Sequence, residues 1–430
     1  MSHRNRQLRV SSLARVEGEG ALDVVVTDGR VDSARLQIYE PPRFFEAFLR
    51  GRAFTEPVDI TARICGICPV AYQTSAWNAI EDACGVEVGA PITALRRLLY
   101  CGEWVSSHAL HVYLLHAPDF LGLPDVVELA RHERAIVERG LRLKRAGNAI
   151  LEAVGGRAIH PVNPRVGGFH RAPPASELAR LVDPLRRALD DALETVRWVA
   201  GFDIPDARID QPLLAAHDPD RYAIERGALV TSTGQYFPAA EFLDHVVEHQ
   251  VPHSSALHAR LDGQHYLTGP LARYTLNGGQ LSPLARQAAA AAGLGESCRN
   301  PYRSVVVRAV EIVYAIEEAL RILAAYEPPR PPALPVEPRA GIGHGVSEAP
   351  RGLLYHRYQL DAAGTVMDAV IVPPTAQNQA AIEDDLRDVV ARNLDLDDAA
   401  LTGLCERTIR NYDPCISCAT HFLDVRVERR

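Results

Sequence analysis

Arg63-Ile-Cys65-Gly-Ile-Cys68 and Asp413-Pro-Cys415-Ile-Ser-Cys418-Ala-Thr-His421 are the stretches on which the fold turns. Each holds a C-x-x-C pair, which can chelate one metal through two thiolates. A structural zinc site with four cysteine ligands usually has its pairs about 15–20 residues apart and staples a short loop. Here nearly the whole chain lies between them. A site that uses both pairs is assembled from the two ends of the sequence at the centre of the fold. There a metal organises a catalytic interior more readily than a loop. Structural zinc stays open as the alternative.

Outside these pairs the sequence sets broad limits. Its 430 residues suit either two or three domains of ordinary size or one large domain with elaborate loops. With 47% hydrophobic and 23% charged residues the chain can bury a sizeable core, which excludes a disordered or fibrous protein. Lys+Arg 46 against Asp+Glu 54 leaves a net charge of −8, and no basic block tracks a phosphate backbone, so nucleic acid is not an expected partner. The opening MSHRNRQLRV has no apolar segment behind it. Nothing approaches the ~18–20 apolar residues of a membrane span, which points to a cytoplasmic protein. Eight cysteines in so long a chain are too sparse for a disulfide scaffold, which leaves ligand chemistry for the paired ones.

Between the cysteine pairs and the N-terminus, apolar and polar residues alternate from Leu8 to Glu40 about an Asp28-Gly29 turn, the pattern of a small antiparallel sheet. Helical periodicity then predicts Arg43–Arg52, Val70–Cys84, Pro91–His116, Arg131–Val154, Ser176–Val199 and Ser304–Ala325. Gly155–Pro174 and the proline run from Glu327 read as surface connections in preference to a proline-rich ligand motif. A second two-stranded element is expected over Gly352–Val372 with Gly364 in its turn, followed by helices over Ala376–Asn393 and up to Arg410. The expected fold class is α+β, a central bundle of long helices with small peripheral antiparallel sheets. We expect one domain over 1–430: a sheet in 1–40, the bundle in 41–330, a part completing the metal site in 340–421 and a tail, 422–430.

R-x-C-G-x-C near one end with D-P-C-x-x-C-x-x-H near the other resembles the large subunit of nickel–iron hydrogenases, and the resemblance extends over essentially the whole chain. Further segments match in order: Arg15-Val-Glu17-Gly18, Arg43-Phe-Phe-Glu46, Gly155-Gly-Arg-Ala-Ile-His160-Pro with Gly167-Gly168, Glu348-Ala-Pro350-Arg351-Gly352, and Val372-Pro-Pro-Thr375-Ala-Gln-Asn378. The resemblance implies that Cys65 and Cys415 are terminal nickel thiolates, and that Cys68 and Cys418 bridge nickel to an iron carrying two cyanides and one carbon monoxide. Soft thiolates suit such metals. It also implies a proton passing from the Cys415 thiolate to Glu17. Arg351 would stand over the open side of the cluster, paired with Asp413, while Pro350, Pro374 and Thr375 would line the diatomic ligands. A magnesium ion is implied at Glu46, His421 and a backbone carbonyl near Val370, although imidazole is an unusual ligand for so hard a cation.

Each of these residues also has a bland reading. Glutamate in a strand, like Glu17, is most often on an exposed face, and an arginine after proline, like Arg351, is usually on the surface. Asp413 before Pro414 is a turn former, which is compatible with a catalytic role. Two departures from the family pattern narrow the branch. Tyr72 stands where many members have histidine; a phenol donates a hydrogen bond to sulfur but does not accept a proton at neutral pH. Ser107 stands where the membrane-bound uptake branch carries aspartate. Both point to the cytosolic, NAD(P)-linked branch that includes sulfhydrogenase-type enzymes.

Cys84, Cys101, Cys298 and Cys405 have no ligand spacing, and Gly341-Ile-Gly343-His-Gly345 is not a dinucleotide fingerprint, so electrons must leave through a partner. The resemblance implies an iron–sulfur small subunit and diaphorase subunits with flavin and NAD(P). His108, His111 and His160 lie in motifs that face the small subunit's cluster in the family, yet each one taken singly reads more readily as a satisfied core or surface histidine. Maturation would need nickel-insertion factors and an endopeptidase that removes Phe422–Arg430; a permanent C-terminal strand is the alternative for that tail. The competing functions are a redox-inactive structural homologue of a respiratory-complex subunit, disfavoured by the four cysteines, and a zinc-stapled binding module.

Overall fold

The computed structural model describes residues 5–420. Asp28 and Gly29 take φ of 51° and 75°, the left-handed pair that a two-residue hairpin turn requires, and join strands Gly20–Thr27 and Arg30–Ile38. Arg6–Val10 pairs antiparallel with the other edge of Gly20–Thr27. Leu22, Val24 and Leu36 turn inward and are fully buried, as the alternation predicts.

The long helices follow their predicted periodicity. Pro69–Cys84 opens on a proline, whose missing N–H costs nothing in a first turn, and stops at Gly85 in the left-handed region. Ala90–Leu110 continues through a π-helical turn, His111–His116, and packs against both Arg134–Gly155 and Ser304–Ala324. Val182–Ala200 lies against the latter two. Ser304–Ala324 is buried on nearly all sides, which accounts for its apolar sequence. One continuous core runs from Leu8 through these helices to Cys418, so both cysteine pairs share an interior.

Three expectations change. The helix predicted over Arg43–Arg52 shortens to Phe45–Leu49, because Phe44 and Gly51 take φ of 53° and 80° and break it at both ends. The two-stranded element over Gly352–Val372 is a three-stranded sheet, Gly341–Ala349, Gly352–Leu360 and Val366–Val372. Its first strand carries the Gly341-to-Gly345 run, and there the glycines permit contact: a Cβ on Gly343 would lie 1.9 Å from the Ala79 carbonyl oxygen, and one on Gly345 2.2 Å from that of Ser75. The strand therefore lies directly on the backbone of the Pro69–Cys84 helix. Finally, the region between Ala200 and Ser304, where periodicity is weak, folds into two small sheets and the helices Pro270–Asn277 and Pro283–Ala291. Pro350 and Arg351 form the hairpin loop between Ala349 and Gly352, which presents Arg351 at a tip directed into the molecule. No helix among the described residues is long and apolar enough to cross a membrane.

Candidate metal centre

Cys65 follows the turn Ala62–Ile64, and Cys68 is the residue before the Pro69–Cys84 helix. Cys415 lies just beyond the Asp398–Asn411 helix, and Cys418 sits in the turn Ser417–Ala419. All four are buried free thiols. Their Sγ atoms lie within 4.8 Å of one another. Cys65 meets Cys415 at 3.4 Å, Cys68 meets Cys418 at 3.6 Å and Cys415 meets Cys418 at 2.7 Å, so the two ends of the chain interlock sulfur by sulfur. The Ile67 N–H donates to Cys65 Sγ at 3.3 Å, and Cys68, at the head of a 16-residue helix, is drawn down by Cys415 but held well above its ordinary range by Cys418, Cys65 and burial together. Hydrogen bonds from Cys415, Cys418 and Cys68 hold the Cys65 thiol well below its ordinary range. Burial, and then hydrogen bonds with the same neighbours, push Cys415 well above it. Four such sulfurs cannot all ionise without a cation among them, and a soft donor set of this kind suits nickel and iron.

Several contacts hold the two ends together. The Ile416 N–H donates to the Glu17 carbonyl at 3.1 Å and the Ser417 N–H to Glu17 Oε2 at 3.1 Å. Gly18 makes that approach possible, because a Cβ there would lie 2.7 Å from Ile416 Cβ. Burial, then the charge of Cys65, raises the Glu17 carboxyl, while Ser417, Arg351 and Cys415 pull it the other way. Arg15 fixes the same segment from behind, through Asp119 at 2.5 Å and the Leu115 carbonyl at 2.9 Å, and Asp119 in turn holds Arg410.

Two further side chains were given no role by the sequence reading. Arg43 donates to the carbonyls of Ile64, at 2.7 Å, and of Ser417, thereby tying the residue before Cys65 to the residue before Cys418. Glu103 accepts the N–H groups of Val70 and Ala71 at 2.6 and 3.1 Å, clamping the start of the helix that Cys68 heads. The one available signal for Glu103 was a carboxylate inside an otherwise enclosed helix.

Arg351 is 2% exposed, and its Nε lies 3.1 Å from Asp413 Oδ1. The guanidinium nitrogens and both Asp413 oxygens have no well-formed hydrogen bond among the described residues. Buried donors left open beside a cluster of sulfurs fit a site that receives an acceptor group. Asp413 takes φ 51°, so its turn-forming role and its place beside Arg351 coexist. Thr375 Oγ1 accepts the Cys415 N–H at 2.9 Å, which leaves its hydroxyl hydrogen free to donate. Pro350 gives its carbonyl to Arg273 at 3.1 Å, and Pro374 opens the Pro374–Arg392 helix. The resemblance set no such contact for Pro350.

Tyr72 is buried beside Cys418, and burial followed by the charges of Cys418, Cys68 and Cys415 holds its phenol well above the ordinary range. Ser107 is buried. His108 faces Glu311 at 3.0 Å, His111 Nε2 lies 2.8 Å from the Arg410 carbonyl, and His160 Nδ1 lies 2.7 Å from that of Ala62. Burial lowers the first two, as expected of neutral core imidazoles. Cys84, Cys101, Cys298 and Cys405 are buried apart from the cluster, with burial raising every one. Glu46 Oε1 accepts the Ile371 N–H at 2.7 Å, next to Val370. Glu248, on the strand Val246–Gln250, is raised by burial and then by the neighbouring charge of Glu46. His421 and Phe422–Arg430 lie outside the described residues.

Fold and sulfur cradle together define a buried thiolate metal centre of the oxidoreductase kind. A nickel-dependent hydrogenase family profile matches residues 43–154, the stretch that holds the first cysteine pair. The sulfhydrogenase 1 subunit alpha of Pyrococcus furiosus is 34% identical over 421 residues, covering 97% of this chain and 98% of that relative. The NAD-reducing hydrogenase HoxS subunit beta of Cupriavidus necator is 28% identical, over 97% of this chain and 95% of that one. A crystal structure of an NAD+-reducing [NiFe]-hydrogenase in the H2-reduced state superposes with a TM-score of 0.86 at 27% identity, covering 97% of this chain and 99% of the other. The chain belongs to the nickel-dependent hydrogenase large-subunit family, and Cys65, Cys68, Cys415 and Cys418 form a cluster that fits a nickel–iron site.

Proposed function

We propose that this subunit catalyses H2 ⇌ 2H+ + 2e− with Glu17, Arg351, Asp413 and Cys415 as its working side chains, and that the electrons reach NAD(P) through partner subunits. The observation that carries the reading is the convergence of four free thiols from opposite ends of the chain beside a buried guanidinium with open donors. Cys65, Cys68, Cys415 and Cys418 would hold a nickel–iron pair, the iron carrying cyanide and carbon monoxide, which would supply the soft, open coordination that polarises dihydrogen.

The protein's own part is to hold and move protons. Cys415 Sγ accepts the first proton, and Glu17, whose carboxylate is raised by burial and gripped by the Ser417 N–H, carries it away from the sulfur. Arg351 keeps its charge at any working pH and offers several fixed donors beside the sulfurs, whose charges act on it. Asp413 balances that charge at 3.1 Å and sets its orientation. Thr375, whose hydroxyl hydrogen is left free beside Cys415, would with Pro374 and Pro350 line the diatomic ligands. Tyr72, buried beside Cys418, would tune that sulfur.

Dispersed burial of the other cysteines supports transfer of electrons to an iron–sulfur small subunit, and similarity to NAD-reducing and sulfhydrogenase subunits supports a diaphorase partner with flavin and NAD(P). Similarity to the sulfhydrogenase and NAD-reducing hydrogenase subunits supports a cytoplasmic complex. Glu46, which accepts the Ile371 N–H and whose charge acts on Glu248, supports a hard cation such as magnesium near Val370, for which His421, outside the described residues, would be a further ligand. Nickel-insertion factors and an endopeptidase acting after His421 would complete the subunit, which we propose forms one domain. The test is elemental analysis with infrared spectroscopy of the purified complex. Nickel and iron in equal amount with cyanide and carbon monoxide bands are expected; zinc alone without those bands would return the cluster to a structural staple.

A further inference from the structure

The Pro374–Arg392 helix begins beside Cys415 and carries Glu383 further along, where the helix meets strand Arg30–Ile38 and the hairpin Val246–Gln250, Leu257–Leu261. His253 lies in the loop of that hairpin and His258 on its second strand. We propose that His253, His258 and Glu383 form a second metal site, for a borderline divalent ion of the zinc class, separate from the sulfur cradle.

One ligand atom from each of the three lies within 4.8 Å of the other two. Two imidazoles and one carboxylate make a borderline donor set that zinc readily takes, with a fourth position left for water. The site is built rather than incidental. His258 is 3% exposed, and its Nε2 is buried without a hydrogen-bond partner, an unmet need for a polar neighbour that a metal would answer. Glu383 Oε1 lies 2.8 Å from His253 Nε2 and also accepts the Leu36 N–H at 3.0 Å, the kind of backbone contact that orients a ligating carboxylate. Burial, then the neighbouring His253, His249, His265 and Arg260, keeps the His258 imidazole down at about 3, so it presents a neutral ring.

Both sides of the loop are already fastened. Ser255 donates through its N–H and its hydroxyl to the Ile38 carbonyl, and Gln379 Nε2 donates to Ser254 Oγ at 3.0 Å and to the Leu36 carbonyl at 2.9 Å. Within this loop Ala256 packs with Ile38, Ile416 and Ala419. An ion held by His253, His258 and Glu383 would lock the hairpin to the helix and the N-terminal sheet, closing over the back of the segment that carries Cys415 and Cys418. Its role is a clamp, and it does not depend on which reaction the cluster performs.

The experiment uses the assembled enzyme with nickel and iron already in place, so that the thiolates are filled. After chelator treatment it is dialysed against Zn2+, and zinc is counted per chain and examined by X-ray absorption at the zinc edge. One zinc is expected, with a nitrogen and oxygen shell at about 2.0–2.1 Å, together with a higher unfolding temperature. His258→Gln and Glu383→Gln should each lose that zinc and the temperature shift while keeping H2 turnover in its absence. His253→Gln, at the more exposed ligand, serves if the buried substitution prevents folding. No bound zinc, a sulfur shell at about 2.3 Å, or equal zinc in the variants would overturn the site.

Discussion

Arg273 and Arg351 are both buried arginines, joined through one hairpin loop, and they differ in how completely they are paired. Arg273 donates to Glu311 through Nε and Nη2, each at 2.8 Å, to Glu348 at 3.0 Å, and to the carbonyls of Ala349 and Pro350 at 2.9 and 3.1 Å. Arg351, a step further along the loop, has an ion pair with Asp413 and no well-formed hydrogen bond. The same contrast separates the helical interior from the metal cradle. Behind the cradle, Arg97 is closed off by Glu225, Glu318, Tyr314 and the Tyr222 carbonyl. A buried charge with every guanidinium nitrogen paired is part of the scaffold, and one with all three open marks where something else must bind.

Substitutions on the two sides of this divide should separate chemistry from stability. The largest effect on turnover is expected from Glu17→Gln, which keeps the size and the acceptor for Ser417 but removes the titratable group. H2 oxidation and H/D exchange should be abolished with nickel and iron still in place. Unchanged exchange in a fully metallated variant would remove Glu17 from the proton path. Arg351→Lys comes next. A lysine keeps the charge and loses the planar fork, so turnover should fall by ~10²-fold or more with little change in unfolding temperature. Near-normal turnover would move Arg351 into the same class as Arg273. Arg97→Met should invert that result: Glu225 and Glu318 lose a buried partner, and denaturant unfolding should report a loss of about 3–5 kcal/mol. Turnover per assembled nickel site should stay close to that of the parent. A fall in turnover per site as steep as that of Arg351→Lys would erase the distinction.

The sequence carried the cradle further than the scaffold. Cysteine spacing implied a site built from both ends, because no local loop can join pairs separated by most of the chain, and the resemblance supplied names for Glu17 and Arg351. Long amphipathic helices and the Asp28-Gly29 hairpin were legible because periodicity and turn chemistry are local. What was not legible depends on partners distant in sequence. Arg43 touches both cysteine segments, yet in sequence it is merely a basic residue before two phenylalanines. Gly343 and Gly345 suppress the alternation that would have announced a strand, since the helix they touch leaves no room for side chains. Arg273, Arg97 and Glu103 read as ordinary charged residues, because only the fold shows that their partners come from helices and loops far along the chain.

Asp385 lies between the two classes and should give the mildest effect on turnover. It sits on the Pro374–Arg392 helix, 8% exposed, and Tyr412 donates to its Oδ2 at 2.9 Å just before Asp413 begins the second cysteine motif. Burial raises its carboxyl to about 6, against the pull of the Tyr412 hydrogen bond, whereas an unfolded aspartate titrates at about 3.9. Between those two values the folded protein binds more protons than the unfolded chain, so stability from this group falls as pH rises from about 4 to about 6 and stays low above that. The ionised form costs the fold up to about 3 kcal/mol at neutral pH. Asp385→Asn keeps an oxygen to accept from Tyr412 and removes the charge. Urea unfolding should find it more stable than the parent at pH 7, with the gain shrinking as pH falls through about 6 and gone near pH 4, while H2 turnover at pH 7 is unchanged. A gain that is constant across this range would show that the carboxylate is solvated in the folded protein. A loss of turnover would show that the Tyr412 contact positions Asp413, and Asp385 would then belong with the cradle.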